Sequence, residues 1–155
     1  MNGNRGVPEV AFSTPMPRPY RAGVIVLGAV TTAAVVVPLA AENSIAMSVV
    51  LVILLGALFW AVLSMQTVVR LGVDEVRIRV AGVFSTTIPY SQITGVAPDR
   101  ATGLREGMGL RLLSNRTTGY LVGGPSVRIN TSGGTAVLVS SNMPQELSEA
   151  ISRHV

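Results

Sequence analysis

Two long apolar runs dominate the first half of the chain. Residues 22–41 contain no charged side chain, and at ~1.5 Å per residue a helix of about 20 residues crosses the ~30 Å hydrocarbon core of a bilayer. A second apolar run extends over residues 45–69, and Arg70 closes it. The pattern predicts two membrane-spanning helices, over 22–41 and 45–69.

The polar break between the runs, Glu42-Asn43-Ser44, is too short to cross a bilayer. The two helices are therefore expected to form an antiparallel hairpin, in which small residues such as Gly28 pack against Gly56 and Ala57. Arginines flank both outer ends of the hairpin and are missing from the break. The positive-inside rule then places both termini in the cytoplasm, in a multi-pass protein of the inner (cytoplasmic) membrane.

The segment before the first run allows two interpretations. Residues 1–21 carry four prolines, which break helices, so we expect a flexible proline-rich cytoplasmic tail there. Alternatively, residues 1–41 are a cleaved secretory signal, because Leu39-Ala40-Ala41 loosely permits cleavage. The apolar run is longer than the ~7–15 residues of a signal core, which favours a permanent anchor.

From about residue 70 the pattern changes from continuously apolar to alternating. Val76, Ile78 and Val80 alternate with Arg77 and Arg79, which is typical of a half-buried strand. Similar alternation between glycine-rich turns predicts about seven short strands before residue 141.

The last residues change to a helical period. Leu147 and Ile151 are four positions apart, which predicts an amphipathic helix over 144–153. We therefore expect residues 70–155 to form a small antiparallel β-barrel or sandwich capped by this helix. With the transmembrane α-hairpin, the chain is an α+β membrane protein.

Three segments of this half resemble pleckstrin-homology-like (PH-like) domains of small bacterial membrane proteins. They are the paired strands VDEVRIRVAGVFSTTIPYSQITGV, the hairpin SVRINTSGGTAVLVSS and the closing helix NMPQELSEAISRHV. The resemblance covers about residues 70–153 and implies a strongly bent sheet whose open end the helix plugs. Another small β-barrel or an α+β sandwich is the alternative. The first strand loop, Ala81-Gly82-Val83, lacks the basic cluster of lipid-binding PH domains.

Composition narrows the chemistry. The chain has no cysteine, one histidine (His154) near its end, and scattered acidic residues. We therefore expect no catalytic, metal or cofactor site, and not an enzyme. The net charge of +4 comes without a dense basic patch interleaved with aromatics, so nucleic acid is not an expected partner.

Arginines remain as candidates for contact with the membrane surface or a partner: Arg70, Arg77, Arg79, Arg111 and Arg128. Each arginine near anionic headgroups gains ~1 kcal/mol. The leading hypothesis is a non-catalytic interaction or scaffold module at the cytoplasmic membrane face, whose partners are the lipid bilayer and a membrane protein or a second copy of the chain. The alternative is an anionic-lipid surface sensor that acts through the strand arginines.

Overall fold

The computed structural model describes residues 10–41, 44–103 and 106–155. The chain divides into two compact units. Met16–Ser64 forms the first unit and holds the two long helices. The segment before Met16 joins Met65–Val155 to form the second, termed the β-domain. The predicted α+β class is confirmed, with helices first, strands after them and a helix at the C-terminal end.

The helical unit contains α1 (Arg18–Ala41) and α2 (Ile45–Leu63). Both helices are long and apolar enough to cross a membrane, and only 6% of the most apolar window of each is buried. Large side chains such as Leu54 and Trp60 stay exposed. Helices that are apolar on their exposed faces suit lipid better than water. The structure therefore contains two candidate membrane spans, but α2 ends six positions before the predicted residue 69.

One glycine brings the two helices together. Gly28 is buried in α1, and a Cβ atom built on it would lie 3.0 Å from Cγ of Phe59 in α2. The prediction that Gly56 faces α1 is wrong, because a Cβ atom there would meet nothing within 4 Å. The helices therefore meet through Gly28 against the ring of Phe59, and not through small residues on both helices.

The strand β1 (Val10–Pro15) is the largest departure from the prediction. It lies inside the expected flexible tail 1–21 and pairs antiparallel with β2 (Gln66–Leu71), from Val10 opposite Leu71 to Pro15 opposite Gln66. Prolines are tolerated here because β1 is an edge strand and Pro15 is its last residue. The helical unit is therefore inserted between two neighbouring strands of one sheet.

The described strands form two open sheets rather than a closed barrel. Sheet A has the order β1-β2-β3-β4 and is fully antiparallel. Sheet B has the order β5-β8-β9-β7-β6, in which β7 and β9 are parallel. There are thus nine described strands rather than about seven, and sheet B is mixed. The remaining bounds are β3 Glu75–Val80, β4 Phe84–Pro89, β5 Ile93–Thr102, β6 Gly109–Leu113, β7 Thr117–Leu121, β8 Gly124–Thr131 and β9 Ala136–Ser140.

The core of the β-domain is made by both sheets and by α3 (Pro144–Ser152), which packs on β5 and β8. The predicted C-terminal helix is confirmed to within one residue. Alternation along β2 and β3 sends one apolar set inward, as a half-buried strand requires. Fully buried members of the cluster are Val76, Ile78, Val80, Val122, Val127, Ile129, Val139, Leu147 and Ile151.

The β3–β4 hairpin closes through a tight turn at Ala81 and Gly82. Their φ angles are 54° and 70°, and the N–H of Val83 donates to the carbonyl of Val80 at 3.3 Å. Two consecutive positive φ angles are characteristic of the type I′ turn, whose twist matches that of the strands. The turn predicted at Ala81-Gly82 is therefore confirmed, with an alanine in a left-handed conformation.

We expect Gly28→Val to destabilise the helical unit, because the added side chain overlaps the ring of Phe59. Overpacking of this kind costs about 1–3 kcal/mol. Gly23→Val is the matched control, since a Cβ atom at Gly23 meets nothing within 4 Å. The thermal midpoint of the helical circular dichroism signal in mild detergent should fall for Gly28→Val and stay within error for Gly23→Val. Equal midpoints would contradict this packing.

We expect Ala81→Asn to stabilise the β-domain by up to about 1 kcal/mol, because asparagine tolerates the left-handed conformation that costs other L-residues ~1–2 kcal/mol. Ala81→Val should destabilise it, since branching at Cβ worsens that conformation. Urea unfolding of the full chain in detergent, followed through the near-ultraviolet signal of buried Tyr90 and Tyr120, measures both changes. Identical midpoints for the two variants would exclude the proposed turn.

Candidate functional site

The outer side of sheet A collects three arginines on one surface. Along β3, Val76, Ile78 and Val80 point into the core, so Arg77 and Arg79 point outward. The register of β2 against β3 places Arg70 directly opposite Arg77. We define Arg70, Arg77 and Arg79, all of them exposed, as the cationic face.

A groove of about 490 Å³ runs across this face. Ser85 and Thr87 of β4 lie opposite Arg79 and Arg77 and bring hydroxyl groups to its wall. The described residues that line it carry no carboxylate; they are Gln66, Val68, Arg70, Arg77, Ile78, Arg79, Gly82, Ser85, Thr86 and Thr87. Guanidinium and hydroxyl donors together suit carboxylate or phosphate oxygens, which accept several hydrogen bonds at once.

The electrostatics of the cationic face favour an anion. Like charges directly opposite each other on neighbouring strands are destabilising, and Arg70 and Arg77 are such a pair. Arg77 donates from Nε to Oε1 of Glu75 at 2.6 Å, but with side-chain exposures of 67% and 34% solvent screens this ion pair strongly. A guanidinium has five N–H donors, so Arg77 keeps donors for a ligand. Among the described residues, Arg77 and Arg79 stand beside the single carboxylate of Glu75, so this part of the face is positive.

The other two candidate arginines lie on sheet B and have structural contacts. Arg128 of β8 has Nη1 at 3.4 Å from Oδ2 of Asp99 and donates from Nη2 to Oγ1 of Thr117 at 2.9 Å. It therefore links β5, β8 and β7. Arg111 of β6 donates from Nε to the carbonyl of Met108 at 3.1 Å and supports its own loop. The structure thus brings together three of the five predicted residues.

The single histidine contacts an aromatic ring rather than an acidic group. His154 stacks on Tyr90 with the ring centroids 4.8 Å apart and the planes at 22°. Tyr90 donates its hydroxyl to the carbonyl of Gly72 at 3.2 Å, and burial raises the pKa of this phenol. The pair packs the end of α3 against the turn after β2.

Within the described ranges, no three His, Asp or Glu side chains are grouped so as to hold a metal ion. Every buried side-chain nitrogen or oxygen in the same ranges has a hydrogen-bond partner. The polar groups available for chemistry therefore lie at the surface, and the arrangement on sheet A can bind anions.

The hydroxyl and amide part of the groove was missed by the sequence reasoning. Gln66 and Val68 lie within the predicted second helix 45–69, but they belong to β2. The polar pair Gln66-Thr67 is the only local sign that the apolar run ends there. Ser85 and Thr87 were not singled out, because their place beside the arginines depends on the register between β3 and β4.

No family model, curated protein or solved structure matches this chain. The PH-like resemblance of residues 70–153 therefore stays a prediction.

Proposed function

We propose that this chain is a non-catalytic interaction module that two membrane-spanning helices hold at the cytoplasmic face of a membrane. The observation that carries the proposal is the insertion of the helical unit between β1 and β2. Pro15 ends β1 and Arg18 begins α1, while Leu63 ends α2 and Gln66 begins β2. The β-domain is thus tethered by two short links, which raises its effective concentration for any partner in the same membrane.

The pairing of β1 supports a permanent anchor over a cleaved signal. Cleavage near Ala41 would remove β1, which forms six residue pairs with β2. It would also remove Thr14, which is 2% exposed and accepts a hydrogen bond from the N–H of Asn142 at 3.3 Å. A segment with these contacts in the β-domain belongs to the mature protein.

The cationic face is the surface that we assign to the partner. Arginine binds carboxylates and phosphates through two parallel N–H donors, which gives geometric specificity as well as energy. An acidic cytoplasmic segment of a membrane protein, or of a second copy, has the matching charge. We keep the PH-like assignment as part of this proposal; two sheets closed by a C-terminal helix support it, and the parallel β7–β9 pair departs from it.

A second candidate function is recognition of anionic lipid. The clustering of Arg70, Arg77 and Arg79 on one side of a sheet favours it, since each arginine close to anionic headgroups gains ~1 kcal/mol. In this case the cationic face meets the bilayer itself rather than an acidic protein segment.

A photo-crosslinking residue in place of Thr87, which lines the groove opposite Arg77, tests both candidates in intact cells at native expression. We expect a crosslinked adduct whose yield falls about tenfold or more in the double variant Arg77→Gln/Arg79→Gln, because charge-assisted hydrogen bonds contribute ~1.5–3 kcal/mol each. Arg100→Gln/Arg153→Gln removes the same charge from exposed sites elsewhere and should leave the adduct unchanged.

The mass of the adduct separates the candidates. A protein adduct supports the interaction module, and a lipid adduct supports the lipid sensor. Crosslinking that is equal in both double variants, or equally strong from exposed Thr94 on sheet B, would show that the cationic face is not the contact surface.

A further inference from the structure

The β3–β4 hairpin ends in an exposed apolar tip, which we define as Ala81–Phe84. Val83 is 77% exposed and Phe84 is 44% exposed. Val83 follows the two turn residues directly, and Phe84 begins β4. No charged residue occurs within the tip, and Arg79 is the charged residue nearest to it along β3. These exposed apolar side chains form a surface without a partner in the described part of the chain.

The tip lies at the end of sheet A where the helical unit is inserted. The N–H of Ala81 donates to the carbonyl of Gln66 at 3.0 Å, and Gln66 lies opposite Pro15. Gln66 follows the last residue of α2 by three positions, and Pro15 precedes the first residue of α1 by three. Three residues reach at most ~11 Å. Gln66 and Pro15, at the tip end of sheet A, are therefore each joined to a candidate span by a link of at most this length.

The two ends of β3 also differ in charge. The turn between β2 and β3, at the far end of the sheet, carries Asp74, and Glu75 follows it. The tip end carries Arg79 instead. Asp74 and Glu75 offset the arginines toward the far end, whereas no acidic residue of β3 or β4 lies near Arg79, so an anionic lipid surface favours the tip end.

We propose that the hairpin tip inserts into the lipid interface, with Val83 and Phe84 among the upper acyl chains and Arg79 at the level of the phosphates. Burial of apolar surface favours the insertion, and the long arginine side chain reaches the headgroups while its stem stays apolar. The inference rests on the membrane anchoring proposed above, and it shares Arg79 with the cationic face. Together with the two links, the tip gives the β-domain a third point of attachment.

Single-cysteine fluorescence on the full chain tests this directly, since the natural sequence has no cysteine. Val83→Cys reports on the tip. Val73→Cys is the matched control, because Val73 is also an exposed valine in a turn of sheet A, at the opposite end of β3. Ile53→Cys, in α2, reports on the anchor. Each variant carries a polarity-sensitive nitrobenzoxadiazole label in vesicles of phosphatidylcholine and phosphatidylglycerol, with a spin label on the upper acyl chain as quencher.

We expect a blue-shifted emission at position 83 and quenching several-fold stronger than at position 73. Equal emission and quenching at positions 83 and 73 would overturn the tip proposal. If the emission of the label at position 53 is blue-shifted in the same experiment, the anchoring proposal still stands. An aqueous emission at 53 would overturn the anchoring itself, and the tip proposal falls with it.

Discussion

The pairing of β1 with β2 is the constraint on which the rest of the structure depends. These strands are neighbours in sheet A although more than fifty positions separate their paired residues, for example Ser13 and Val68. Everything between them has to leave the β-domain and return to the same edge of it. A helical hairpin meets that requirement, because its two ends lie together, and it also meets the requirement of a bilayer that no backbone polar group stays unpaired. The pairing of β1 with β2 thus requires the inserted segment to begin and end at the same edge of sheet A, as a helical hairpin does.

The same sheet positions the candidate site. Its inner side supplies Val76, Ile78 and Val80 to the core, and this fixes the outward direction of Arg77 and Arg79. The register of β2 against β3 also sets where Arg70 lies. Burial on one side of a sheet, and not any local motif, therefore brings three arginines to one surface. The cationic face and the tip adjoin each other and share Arg79; we propose an acidic partner for the former and lipid for the latter.

Sequence patterns predicted the features that depend on local periodicity. The two apolar runs, the strand at 76–80, the turn at Ala81-Gly82 and the closing helix all follow from hydropathy or turn chemistry. β1 was missed because it lies among prolines and its pairing partner is far along the chain. β2 was missed because Val68 and Val69 resume the apolar run after the short polar pair Gln66-Thr67. Local patterns do not predict which strands pair or in what register. Arg128 therefore counted as a candidate together with Arg77, although it contacts Asp99 and Thr117 on the other sheet.

The central claim is that one helical hairpin crosses the membrane and returns, so that β1 and β4 lie on the same side and the connection between α1 and α2 lies on the other. Three serine-to-cysteine variants test it: Ser13 in β1, Ser44 before α2 and Ser85 in β4. Intact cells are treated with a membrane-impermeant maleimide before and after permeabilisation. We expect Ser44→Cys to react in intact cells, and Ser13→Cys and Ser85→Cys to react only after permeabilisation. Reaction of Ser13→Cys and Ser85→Cys from opposite sides, or of all three from one side, would contradict the account.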